Sequence, residues 1–185
     1  MIIQLEGPDG SGKSTLARAI KEALYEMVPV WYDNIEYIIP TKPTAKDRLN
    51  EKELFKRLVK IAKSKTVYIL DRGPISDVIY RVFDSYNSVT TLPKIIKFFE
   101  EHVVRCFVVF CGTPLAEEKM LERGEDNPTS LNRHKELTKV YNIVEDCFKA
   151  TIPFNIKHFD YSKNKCSSLI SDIEYWTRLL TENNK

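Results

Sequence analysis

Five short apolar runs alternate along the chain with longer segments in which apolar residues recur every three to four positions. A short apolar run is typical of a buried strand, and the longer spacing is typical of an amphipathic helix. The predicted strands are residues 1–6, 30–32, 66–70, 103–110 and 155–159. The predicted helices are residues 14–27, 51–65, 75–83, 92–102, 115–123, 137–148 and 165–182.

This alternation predicts an α/β fold, a three-layer sandwich in which helices cover both faces of a five-stranded parallel sheet. In such sheets, ligands bind beyond the carboxyl ends of the strands. The length of 185 residues predicts a single domain, residues 1–185, with a substantial core.

Composition narrows the class of protein further. The formal net charge of +2 is too balanced to argue for a nucleic-acid partner. The four cysteines form no C-x-x-C pair and no zinc spacing, which suits reduced thiols and a cytoplasmic location. No apolar run reaches the length of a membrane span, and the first strand is too short for a signal peptide, so no membrane partner is expected.

The strongest chemical signal is the stretch from Gly7 to Thr15, GPDGSGKST, which fits the phosphate-binding pattern G-x-x-x-x-G-K-[ST]. Its glycines let backbone N–H groups turn inward around phosphate oxygens, and the following helix adds its positive end. Lys13 is expected to contact the terminal phosphates, and the Ser14 hydroxyl is expected to bind Mg²⁺. The alternative is a glycine-rich turn that binds nothing, which the strand–loop–helix order disfavours.

A second signal follows the third strand, where Asp71-Arg72-Gly73-Pro74 begins at its carboxyl end. An acid in this place, one strand from the phosphate-binding loop, is the usual partner of the magnesium ion. The alternative is that Asp71 caps the next helix and that Arg72 is its ion partner.

Between the second and third strands, Lys42, Lys46 and Arg48 lie in or just after a loop with two prolines. A solvated basic loop is one interpretation. The other is a grip on an anionic acceptor, within an acceptor-binding region at about residues 34–65.

The most polar long stretch, at about residues 124–135, predicts a mobile lid. Arg123, Arg133 or Lys135 could then close over phosphates. An ordinary exposed connection between helices is the alternative.

Other polar residues are predicted to be structural. Cys106 and Cys111 are five positions apart on one strand, so they are expected on opposite faces and not as a redox pair. His158 alternates with apolar neighbours, and the chain has no motif for a serine or cysteine nucleophile, so it is predicted to have a structural role.

Two other classes of nucleotide-binding protein are disfavoured. A guanine-binding N-K-x-D is missing, because Asn164-Lys165 is followed by Cys166-Ser167. Pro74 stands where the D-x-x-G of a switch loop needs glycine. A motor ATPase usually needs a larger domain.

The loop from Gly7 to Thr15, with Asp9 two residues after its first glycine, resembles the loop of thymidylate kinases. Asp71 to Tyr80 resembles their D-R-x-x-x-S-x-x-x-Y segment, and Arg123, the polar stretch and Tyr141 resemble their lid and following helix. The resemblance spans nearly the whole chain and implies a P-loop kinase fold. Family members commonly pair as dimers, so a homodimer is a further expectation.

The resemblance also implies roles for single residues. Asp9 would contact the 3′-hydroxyl of the acceptor's sugar, Asp71 would serve the magnesium site and Arg72 the phosphoryl groups. Ser76 and Tyr80 would line the acceptor-base pocket. Arg48 is similar in place to the arginine that grips the acceptor's phosphate.

The chain departs from the family in its acceptor region. Pro40-Thr41-Lys42-Pro43-Thr44 stands where an E-P-G-G-T-like segment is usual, and Arg81 replaces a common glutamine. A monophosphate acceptor needs cationic groups and no general base, whereas a hydroxyl acceptor needs a carboxylate to take its proton. The basic residues favour the monophosphate, and Asp71 could be the base in the other case.

The sequence therefore predicts an ATP- and Mg²⁺-dependent kinase acting on a deoxynucleoside monophosphate, with dTMP or a related pyrimidine nucleotide as first choice. Alternatives are a kinase acting on a deoxynucleoside or on a hydroxymethylated base in DNA, a GTPase or ATPase switch, and a non-catalytic nucleotide-binding module. The expected ATP site is Gly7, Asp9, Gly10, Ser11, Gly12, Lys13, Ser14 and Thr15, with Ser14 and Asp71 at the metal. The expected acceptor site is Asp9, Arg48, Asp71, Arg72, Ser76 and Tyr80, and the expected catalytic residues are Lys13, Asp71, Arg72, Arg123 and Arg133.

Overall fold

A computed structural model describes residues 1–27, 35–38, 51–64, 66–83, 91–102, 105–112, 116–122, 124, 128–160 and 163–182. These residues form five strands, seven α-helices and a short 3₁₀ turn at Pro153–Asn155. The strands are β1 (Ile2–Glu6), β2 (Ile35–Ile38), β3 (Val67–Asp71), β4 (Cys106–Gly112) and β5 (Ile156–Asp160). The helices are α1 (Lys13–Met27), α2 (Glu51–Lys63), α3 (Pro74–Phe83), α4 (Thr91–Glu101), α5 (Ala116–Glu122), α6 (Pro128–Thr151) and α7 (Cys166–Glu182).

The strands pair in the order β2-β3-β1-β4-β5, and every pair is parallel. The α/β prediction is therefore confirmed. The predicted second strand, residues 30–32, lies outside the described residues. The strand at that edge of the sheet is Ile35–Ile38, a segment to which the sequence pattern assigned no element.

Two hydrophobic clusters cover the two faces of the sheet. One cluster packs α1 and α7 against residues such as Ile3 and Val109, and the other packs α2, α3, α4 and α6 against residues such as Ile2 and Val108. Cys106 belongs to the second cluster and Cys111 to the first, as predicted from their spacing. Burial raises the pKa of each thiol to about 12, so both cysteines stay protonated at neutral pH.

The start of α6 corrects the sequence analysis, which placed the helix at 137–148. The helix begins at Pro128, so residues 128–135 of the predicted lid are its first turns. Proline suits the first turn of a helix, because its fixed φ is helical and its missing N–H has no partner to lose there. Within the described ranges, no helix is both long and apolar enough to cross a bilayer.

The parallel register brings the chemically interesting loops together at the carboxyl ends of the strands. Leu5 of β1 pairs with Asp71 of β3, and Glu6 pairs with Phe110 of β4. The loops that follow β1, β3 and β4 therefore leave the sheet side by side. The candidate site lies at these carboxyl ends.

Candidate active site

The loop between β1 and α1 has the backbone that its glycines predict. Gly10 and Gly12 adopt left-handed φ values of 79° and 80°. Gly7 has a φ of 148°, and a Cβ added there would lie 2.3 Å from the backbone oxygen of Cys111. Only glycine fits at Gly7, because any side chain would collide with the end of β4.

Lys13 lies inside this loop, with 5% of its surface exposed. Its Nζ donates hydrogen bonds to the backbone oxygen of Pro8 at 2.6 Å and to Ser11 Oγ at 3.2 Å. Burial lowers the pKa of Lys13 to about 8, helped by the nearby charge of Arg72. The ammonium group is therefore still charged at pH 7 and is held where the loop surrounds its ligand.

The Ser14 hydroxyl donates a hydrogen bond of 2.5 Å to Oδ2 of Asp71, a buried carboxylate at the end of β3. A serine hydroxyl and a carboxylate in contact are a donor set that fits Mg²⁺, which commonly takes one or two protein oxygens besides phosphates and water. Among the described residues, no group of three or more His, Cys, Asp or Glu side chains could hold a metal by itself. With two protein oxygens offered here, a magnesium ion would take its other ligands from water or phosphate.

Arg72 brings the phosphate-binding loop and α3 together. Its guanidinium pairs with Asp9 and donates a 2.5 Å hydrogen bond to Tyr80 Oη. Its backbone is left-handed, with a φ of 73°, which is uncommon for a residue with a side chain. Burial alone would lower the pKa of Arg72, but Tyr141, Tyr80 and Asp9 raise it above its ordinary value, so the group remains a cation.

A buried hydrogen-bond network, which the sequence analysis missed, lies next to Arg72. Ser76 Oγ donates to Glu6 and lies 2.8 Å from Tyr141 Oη. Glu6 also accepts hydrogen bonds from Gln4 and from the backbone N–H of Gly73, the latter at 3.0 Å. Ser76 thus anchors α3 to the strand before the loop. The available signal was an acid at the end of an apolar strand, directly before the first glycine.

The carboxyl group of Glu6 makes protein stability depend on pH. Burial raises its pKa from 4.5 to about 7, against the opposing effect of hydrogen bonds from Ser76 and Gln4. The folded state therefore holds a proton that the unfolded state has released, so stability falls as the pH rises from about 4.5 to 7. Since one pKa unit corresponds to about 1.4 kcal/mol, the loss is of the order of 3 kcal/mol.

We expect Glu6→Gln to remove most of that loss, because the amide cannot ionise. Denaturant unfolding gives the free energy of unfolding of the wild type and of Glu6→Gln at pH 5 and at pH 8. The decrease between the two pH values should be smaller in the variant. Glu118→Gln, an exposed acid on α5, is the control. An equal pH dependence in wild type and Glu6→Gln would contradict the raised pKa.

The structure brings together most of the predicted site residues. The loop from Gly7 to Thr15 lies beside Asp71 and Arg72, and Ser76 and Tyr80 face this cluster from α3. Arg48 and Arg123 lie outside the described residues, so their roles stay predictions. Arg133 is exposed on α6, and its part in neutralising charge also stays a prediction.

His158 was predicted to have a structural role, and the structure places it beside an acid of α6. The imidazole is 44% exposed, and its Nδ1 lies 3.0 Å from a carboxylate oxygen of Glu145 on α6. The alternation along β5 predicts which face of the sheet carries His158. The alternation does not indicate that α6 packs beside His158 on that face.

The loop takes backbone conformations that require glycine, it surrounds a buried lysine, and a serine–carboxylate pair lies at its end. Together these features define a P-loop nucleotide-binding site. No protein-family model and no curated protein matches the chain. Solved structures do match. YorR of Bacillus subtilis, in complex with phosphorylated GDP, aligns with a TM-score of 0.67 and 19% identity over 98% of each chain.

Two thymidylate kinases align less closely. The enzyme from Candida albicans has a TM-score of 0.51 and 16% identity, over 100% of this chain and 92% of that chain. The enzyme from Ehrlichia chaffeensis has a TM-score of 0.50 and 17% identity, over 97% of this chain and 98% of that chain. The chain thus has a thymidylate kinase-like P-loop kinase fold, and the resemblance stated from the sequence is confirmed at the level of the fold.

Proposed function

We propose that this protein is a nucleotide kinase, which transfers the γ-phosphoryl group of ATP to a deoxynucleoside monophosphate, with dTMP or a related pyrimidine nucleotide as first choice. The observation that carries the proposal is that three groups lie together at the carboxyl ends of β1 and β3. They are the buried Lys13, the pair Ser14–Asp71, and Arg72 with its partners Asp9 and Tyr80. Proteins of the same fold include thymidylate kinases, which supports phosphoryl transfer in general.

In this proposal, each group of the cluster has one task. Lys13 and the backbone N–H groups of the loop hold the phosphates of the donor. Ser14 and Asp71 bind Mg²⁺, which when bound neutralises phosphate charge. Arg72 contacts the phosphoryl group during transfer, where charge spreads over its oxygens.

The acceptor side rests on Asp9, Ser76 and Tyr80. Asp9 is 43% exposed and is fixed by Arg72, so its second oxygen can accept a hydrogen bond from a sugar hydroxyl. Tyr80 is held by Arg72, and Ser76 by Glu6. These contacts fix the side-chain conformations of Asp9, Ser76 and Tyr80 before the acceptor binds.

The hydrogen bonds of the nearby acids support a monophosphate acceptor. Asp71 accepts from Ser14, Asp9 from Arg72, and Glu6 from three groups while being fully buried. Each of these acids already accepts a hydrogen bond from the protein on at least one oxygen. A hydroxyl acceptor would need one of them to take its proton as well, whereas a monophosphate acceptor needs no general base.

A screen of ATP consumption tests the proposal. The acceptors are the deoxynucleosides, their monophosphates, and an oligonucleotide with hydroxymethylated bases, each with and without Mg²⁺. We expect ADP to form with at least one deoxynucleoside monophosphate and only with the metal. Turnover with a nucleoside or with the oligonucleotide, and with no monophosphate, would establish the alternative in which a hydroxyl is the acceptor.

A further inference from the structure

A row of three side chains crosses the carboxyl end of the sheet. Glu6 of β1 pairs in register with Phe110 of β4, and Phe110 pairs with His158 of β5. Paired residues of neighbouring strands point to the same face, so an acid and an imidazole lie at the two ends of the row with a phenyl ring between them.

Helix α6 lies over this row and contacts one end directly and the other through Ser76. Tyr141 lies 2.8 Å from Ser76, the partner of Glu6, and Glu145, one turn further along, contacts His158. Residues four apart share one face of a helix, so one stripe of α6 faces the whole row.

Between α6 and the sheet lies a cavity of about 550 Å³. Its lining includes Gly7 and Pro8 of the phosphate-binding loop, the aromatic residues Phe110 and Tyr141, and a larger set of polar and charged side chains, among them Lys135, Lys139, Asn142, Glu145 and His158. A cavity of this size, with aromatic rings beside polar and charged groups, suits a small polar organic molecule.

The topology marks the same place. β1 leads through α1 to β2 at one edge of the sheet, whereas its neighbour β4 leads through α5 and α6 to β5 at the other edge. Ligands of open α/β sheets bind where the connections of neighbouring strands diverge in this way. Gly7 follows β1 and Gly112 ends β4, and both line the cavity.

His158 is too far along the row to serve the phosphates at the loop. β1 and β5 are two strand spacings apart, about 10 Å. A ligand that contacts both Pro8 and His158 therefore needs a rigid body longer than a phosphate group. The sugar and base of a nucleotide supply that length.

Glu145 prepares the imidazole for recognition. Its carboxylate accepts from Nδ1, so Nε2 is left on the side of Gly112, where a Cβ would lie 3.2 Å from it. The pKa of His158 is raised chiefly by this hydrogen bond, against partial burial and Lys149, and Asp160 of the same strand acts in the same direction as Glu145. Nε2 therefore offers a hydrogen-bond donor in the protonated ring.

We propose that this cavity binds the nucleoside part of a nucleotide whose phosphates lie at the loop, and that His158, positioned by Glu145, hydrogen-bonds its base and helps to select it. The inference rests on the proposed nucleotide kinase function. The base belongs to the donor or to the acceptor, and the experiment separates the two.

Titration calorimetry with the whole protein tests this without turnover. The probes are ATP, inorganic tripolyphosphate and dTMP, and the variants are His158→Ala and Glu145→Gln. We expect His158→Ala to weaken binding of either ATP or dTMP about tenfold and to leave tripolyphosphate unchanged, as for the loss of one hydrogen bond to a base. Glu145→Gln should weaken binding of the same nucleotide to a smaller extent. The imidazole is still present in that variant, but the contact that positions it is weaker.

Lys157→Gln is the matched control, because Lys157 lies on the same strand and bridges to Asp172 of α7 on the opposite face. Unchanged binding of both nucleotides in His158→Ala and Glu145→Gln would overturn the inference and leave the proposed function standing. Equal weakening of ATP and tripolyphosphate would also overturn it, since the phosphates alone would then be affected. If wild-type protein binds neither ATP nor tripolyphosphate, the proposed function itself fails, and the inference with it.

Discussion

Replacing Lys13 with alanine is expected to lower kcat/KM for phosphoryl transfer by about 10³-fold or more, while the protein stays folded. The ammonium group is the one buried cation within the phosphate-binding loop among the described residues. Positioned cations of this kind account for effects of about 10³ to 10⁵ in phosphoryl transfer. Alanine cannot replace either the charge or the reach of the side chain.

The stability of the Lys13→Ala variant separates this mechanism from simple unfolding. Burial lowers the pKa of Lys13 from 10.5 to about 8, so at pH 7 the folded state holds a charge that burial disfavours, and stability rises as the pH rises from about 8 to 10.5. Removing the side chain should therefore not lower the melting temperature at pH 7.

The measurement pairs steady-state kinetics with thermal unfolding, and Lys21→Ala, on the same helix above the Tyr25 ring, is the control. A Lys13→Ala variant with wild-type turnover would exclude the proposed mechanism. A variant that melts well below the control would assign Lys13 a structural role.

Asp71→Asn should lower kcat by about 10² to 10³ and raise the Mg²⁺ concentration needed for half-maximal rate. Asparagine keeps the size of the side chain and an oxygen that can accept from Ser14, so the contact between α1 and β3 is preserved. What is lost is the negative charge that favours a hard divalent cation, and losses of one preorganised charged group are of this size.

A Mg²⁺ titration of initial rates measures the effect, with Asp172→Asn on α7 as a control that removes an acid remote from the loop. If the rate falls and the Mg²⁺ requirement does not change, Asp71 acts on the acceptor and not on the metal. That result would favour the alternative in which Asp71 is the general base for a hydroxyl.

The geometry of the phosphate-binding loop was predictable from the sequence because it is local. Eight of the predicted ATP-site residues lie between Gly7 and Thr15, and their spacing is imposed by the backbone geometry of one loop. Asp71 and Arg72 were predictable because parallel strands bring their carboxyl ends to one edge. The fold class followed from the same alternation of strands and helices.

The rest of the site depends on contacts between distant elements. Glu6 meets Ser76 across 70 positions, and nothing in the pattern of either segment pairs the two. Glu145 reaches His158 because α6 runs over the sheet, and the sequence periodicity does not specify that packing. The stretch before residue 137 is rich in polar residues, which hid the first turns of that helix.

The hydrogen bonds of Lys13, Ser14 and Arg72 have a consequence for how a ligand enters. Each of these donors already satisfies an oxygen of the protein, respectively on Pro8, Asp71 and Asp9. At these particular bonds, a nucleotide would exchange a protein oxygen for one of its own, whereas the remaining N–H groups of Lys13 and Arg72 would form additional hydrogen bonds. The exchanged bonds should contribute little net heat of binding, and the same protein oxygens can take their donors back when the product leaves.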